Sequence, residues 1–108
     1  MKNWNPESLS ERFLFTAESA ETYMLECKAK AATREAYKAL HDEHLAKFYV
    51  FNHLRGLTFF ATRDELLSAL RSLLNAQPTA PSEAFEGERF FVHRKAFINA
   101  LIREMEDA

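Results

Sequence analysis

The sequence predicts a mainly α-helical fold, with four to five helices in one compact domain, and three observations carry that expectation. Only two glycines and three prolines punctuate 108 residues, so long stretches hold nothing that breaks a helix. Apolar side chains recur at helical spacing: Ala36, Tyr37, Leu40, His44, Phe51 and Leu54 share one stripe, and Phe91, Ile98, Leu101 and Met105 share another. Finally, 47% apolar and 28% charged residues are the balance of a globular chain, long enough for one core and too short for two. Phenylalanine is the anomaly, with ten against one Trp and three Tyr. Each ring buries ~150–250 Å², which demands a large core, a large interface, or both.

In chain order, Asn5-Pro6 reads as N-cap and first helical residue of a short helix ending near Phe13. Thr16 then caps a second helix through ESAETYMLECKAKAA. From there to Gly56 nothing interrupts the chain: either Thr33 caps a fresh helix or one long, bent helix continues. Gly56, after HLR, is a C-terminal stop with a basic last turn. Thr62 and Glu65 form a T-x-x-E capping box ahead of LLSALRSLL. QPTAPSEAFEG is the one loop-like stretch and ends at Gly87, before a last helix carrying FINALIREM that frays at EDA.

FFATRDELLSAL (59–70) returns as FFVHRKAFINAL (90–101), with Phe59, Phe60, Arg63, Ala69 and Leu70 matching Phe90, Phe91, Arg94, Ala100 and Leu101. This implies two equivalent units, each leading into a helix. The FF segments, around 58–61 and 89–92, read as short extended pieces that pair in a two-stranded ribbon. The other reading makes each FF pair the start of its helix. Either way, one ring of each pair is expected to be buried.

Net charge near −2 and scattered basic residues form no stripe that would track a nucleic-acid backbone. Cys27 is alone, which excludes an internal disulfide and a multi-cysteine zinc site, and its helical context suits a buried hydrophobe. MKNWNPES has no apolar h-region, and no apolar run approaches the ~20 residues of a membrane span. A reducing, cytoplasmic compartment fits best.

HDEH (41–44) suggests a metal pair, yet helical projection places His44 inside the apolar stripe and His41 at its edge, with Asp42 and Glu43 pointing elsewhere. A metal needs further ligands and their supporting partners, so no metal and no cofactor is expected. There is no G-x-S-x-G and no Gly-rich phosphate loop, so no catalytic residue is assigned. Arg34 and His41, spaced R-x6-H, resemble the Arg–His pair of the HEPN ribonucleases, small helical proteins that cut RNA at a dimer interface. The resemblance rests on these two residues and implies joint action on a scissile phosphate. Glu35 departs from the small polar residue that usually follows the arginine. TRDELLSALRSLL also looks like the positioning helix of a winged-helix regulator, but an acidic loop follows where a basic recognition helix belongs.

From Leu45 onward the central helix is apolar all round: Leu45, Ala46, Tyr49 and Val50 lie opposite the stripe. Such a helix is either sandwiched within the core or carries an interface. The expectation is therefore a small protein-binding regulator, adaptor or inhibitor that binds through Leu45, Tyr49 and Val50 and pairs as a homodimer. The alternative is a nucleic-acid-associated protein, either a transcriptional regulator or a HEPN-like ribonuclease using Arg34 and His41.

Overall fold

The computed structural model describes residues 5–59 and 62–107, which form four helices and no strand. α1 spans Pro6–Lys30, α2 Ala36–Arg55, α3 Arg63–Asn75 and α4 Gly87–Asp107. The Asn5 side chain accepts a hydrogen bond from the Ser8 backbone N–H at 3.0 Å, and Pro6 opens α1 where a missing N–H costs nothing. α1 then runs unbroken past Thr16. The Thr16 hydroxyl donates to the Arg12 carbonyl one turn back, so it is satisfied without ending the helix. The expected division of this segment into two helices is corrected accordingly.

A five-residue connection, 31–35, joins α1 to α2. Thr33 lies in this connection, its hydroxyl donating to the Lys30 carbonyl at the end of α1, and α2 begins without a side-chain cap. Gly56 does end α2, in ordinary right-handed backbone with φ −74°. The Ser10 hydroxyl donates to the Arg55 carbonyl, tying the start of α1 to the end of α2. The two helices form a hairpin sealed by Phe13, Ala17, Ala20, Met24 and Cys27, all buried on α1. Burial also pushes the Cys27 thiol above its ordinary value, the state of an inert structural cysteine.

The second FF pair lies inside α4, so there is no ribbon at 89–92. Phe90 and Phe91 follow the helical stripe of Ile98, Leu101 and Met105, and that pattern outweighs their β propensity. Phe59 sits in the turn after α2 and is 58% exposed, while Phe60 lies outside the described residues. Burial therefore holds for Phe90, at 3%, and not for Phe59.

The repeat has a structural counterpart in α3 and α4. Leu67 and Leu70 match Ile98 and Leu101, and all four are buried in one cluster with Phe13, Val50 and Leu54. The matched arginines act reciprocally. Arg63, at the start of α3, donates to the Met105 carbonyl near the end of α4; Arg94 donates at 2.7 Å to the Leu73 carbonyl near the end of α3. Each guanidinium satisfies a last-turn carbonyl, where positive charge also suits the helix dipole. Arg12 adds a paired contact from α1 to Glu104, and Arg71 one from α3 to Glu106.

α2 is the central helix, packed on α1 along one side and α4 along another. A second buried cluster of Met24, Leu45, Ala46 and Phe90 marks where all three meet.

Candidate functional site

The HDEH segment differs from its projection. His41 and Asp42 are fully buried, while Leu40 is 41% exposed and His44 half-buried. The apolar stripe predicted the wrong face for this half of α2 because the 85–86 backbone and Arg89 of α4 claim the other one. One Asp42 carboxylate oxygen accepts from the Phe85 N–H at 2.8 Å, and the other from the Glu86 N–H at 3.0 Å and Arg89 Nε at 3.2 Å. His41 Nδ1 lies 3.0 Å from Asp42, a distance at which the Nδ1–H tautomer donates. The Phe85 ring packs edge-on against His41. A single carboxylate thus gathers the N–H groups at the start of α4, where the helix dipole favours negative charge. Among the described residues no group of three His, Cys, Asp or Glu side chains is placed to hold a metal ion.

Burial also separates the Arg34–His41 pair. Arg34 is exposed in the turn before α2, whereas His41 has no accessible surface. Of the residues expected to bind a partner, Leu45 and Val50 are core, at 2% and 4% exposure, and Tyr49 alone keeps 43%. An exposed patch of all three is corrected: α2 is sandwiched, so both of its long sides are covered.

Tyr49 instead stands at the mouth of a cleft of about 250 Å³ between α2, α4, Leu73 of α3 and the 76–86 loop. The Phe90 ring meets it edge-on at 6.0 Å, and Phe48 does so from its own helix at 5.6 Å. Val50 lies at the floor, and Pro78 and Pro81 form the loop wall. The loop can press close because α4 begins with glycine: a Cβ on Gly87 would come within 3.1 Å of the Ala80 Cβ.

Arg94 supplies the polar edge. Three described arginines are half-buried: Arg63 pairs with Asp64, Arg89 with Asp42 and Glu86, and Arg94 with no carboxylate. Burial holds the Arg94 guanidinium below its ordinary value, although it stays charged at any ordinary pH. Arg94 also borders a second, more polar groove of about 440 Å³ that continues past Pro78 to Lys95. Among the described residues no carboxylate lines either space.

No protein-family model, curated protein or solved structure matches the chain. What fold and site define is a four-helix protein with a narrow, apolar, cationic-edged cleft. Among its described helices none is long and apolar enough to cross a membrane. Sequence reasoning reached Tyr49 and Val50 but missed Phe90 and Arg94 as their neighbours in space. The one available signal was the repeat, which paired Arg94 with Arg63.

Proposed function

We propose that this chain is a small protein-binding domain, a regulator, adaptor or inhibitor without chemistry of its own, acting inside the cell. Its cleft beside Tyr49 receives a segment of the partner. The observation that supports this is the half-exposed Tyr49 ring, held by Phe48 and Phe90 over an apolar cavity. Aromatic residues of this kind anchor interfaces. The volume suits one or two inserted side chains, since small-molecule pockets span roughly 300–1,000 Å³. A lone, buried Cys27 is in keeping with a reducing compartment.

The partner is a different protein in this reading. A symmetric homodimer needs roughly 800 Å² of surface per copy, and with Leu45 and Val50 in the core, Tyr49 offers only a point of contact. Light scattering on the wild type and Tyr49→Glu tests this directly. A monomer near 12.5 kDa in both is expected, and a wild-type dimer dissociated by the substitution would restore the homodimer. Affinity capture with wild type and Tyr49→Ala tests the cleft: the partner should be held by the first and lost by the second. Capture indifferent to Tyr49, or RNA cleavage abolished by Arg34→Ala/His41→Ala, would overturn the proposal.

A further inference from the structure

The cleft and its neighbouring groove share Arg94, and this junction constrains what can occupy them. Apolar walls at Tyr49 and Phe90 lead straight to a guanidinium with no counter-charge among the described residues, followed by Lys95 on the same helix. A half-buried cation is stabilised by an anion more than an exposed one is, because less water competes for it. One Arg94 N–H is committed to the Leu73 carbonyl, and the remaining donors of the fork are available to a ligand. The arginines at comparable depth have their acids within the chain, so Arg94 is the exception that an incoming group would complete.

We infer that the segment bound here is an acidic peptide: an apolar side chain enters beside Tyr49 and Phe90, and a flanking carboxylate pairs with Arg94, with Lys95 beyond it. The inference rests on the protein-binding reading and adds the chemistry of the occupant. A carboxylate suits the site because the guanidinium fork accepts it in two parallel hydrogen bonds. The aromatic walls receive the adjacent apolar side chain, and the narrow cavity suits one such anchor rather than a run of stacked bases.

The probes are two synthetic pentapeptides, acetyl-Glu-Glu-Phe-Glu-Glu-amide and its Gln analogue, and a ten-residue oligothymidylate. Each is titrated into the ¹⁵N-labelled full chain while backbone amides are followed by NMR. The Glu peptide should move the amides of Tyr49, Phe90 and Arg94, and the Gln peptide should bind there about tenfold more weakly or worse. Arg94→Gln should abolish the preference and Arg94→Lys should keep part of it. If loss of the Leu73 bond unfolds the Gln variant, the wild type still decides, because the preference must shrink as salt rises. Equal binding of the two peptides at the cleft would refute the acidic partner while sparing the protein-binding reading. Shifts confined to other surfaces, tighter binding of the oligonucleotide, or no response of the cleft to any probe would overturn both.

Discussion

Phe59 and Phe90 occupy the same place in the repeated stretch, yet one faces water and the other is core. Phe90 packs against Tyr49, Phe91 and the Met24–Leu45 cluster, so Phe90→Ala removes a filled volume that its neighbours cannot fully close. The expected cost is ~3–5 kcal/mol, read from the urea midpoint. Phe59→Ala should stay within about 0.5 kcal/mol of wild type. His44 makes a second test at this scale. Desolvation holds its imidazole below the ordinary value; Lys47 and His41 push the same way and Glu43 pulls back. The Tyr23 ring lies 5.4 Å from it. With the folded value depressed, the unfolded chain binds the proton more readily. The His44 contribution is therefore intact above the unfolded value near ~6.5 and is lost as pH falls through the folded one. His44→Leu should flatten the decline in stability between pH 7.5 and 5, and an unchanged slope would show that His44 plays no part in it.

Single elements begin where short polar side chains make local bonds. Asn5 caps α1, and Thr62 caps α3 by accepting from the Glu65 N–H at 3.2 Å. Asn5→Ala and Thr62→Ala should each cost ~1 kcal/mol by thermal or urea melts. The double variant should show their sum, since the two caps share no partner. These starts were legible in the sequence because the bond and its residues lie within three positions. The boundaries that were misread have no such local signal. Thr16 carries the same hydroxyl as Thr62 but spends it on a carbonyl one turn back, and α2 starts with no side-chain cap. Gly87 was read as the end of a loop and is also the first residue of α4, because its missing Cβ serves the contact with Ala80. The second FF pair takes the helical one of its two readings for a related reason: β-forming residues in a helical stripe follow the stripe once a neighbouring helix covers it.

Across the whole molecule the least legible feature is Asp42. Apart from the adjacent His41, its partners lie 43 to 47 residues away, so no window of sequence shows why a carboxylate should be buried there. The same distance hid the cleft, whose walls come from three helices and a loop that only the fold brings together. Replacing Asp42 by Ala leaves two backbone N–H groups and Arg89 Nε without their acceptor and should cost ~3–5 kcal/mol, measured by denaturation. The bond has a further consequence in time rather than energy. Phe85 and Glu86 stand in irregular chain ahead of α4, where backbone amides ordinarily trade their hydrogens with water at once. Anchored to a carboxylate inside the protein, these two should exchange only when α2 and α4 part, orders of magnitude more slowly than the amides of 77–80. In Asp42→Asn they should quicken while the amides of α1 hold their pace, and exchange at wild-type rates in that variant would show that the carboxylate does not keep the interface shut.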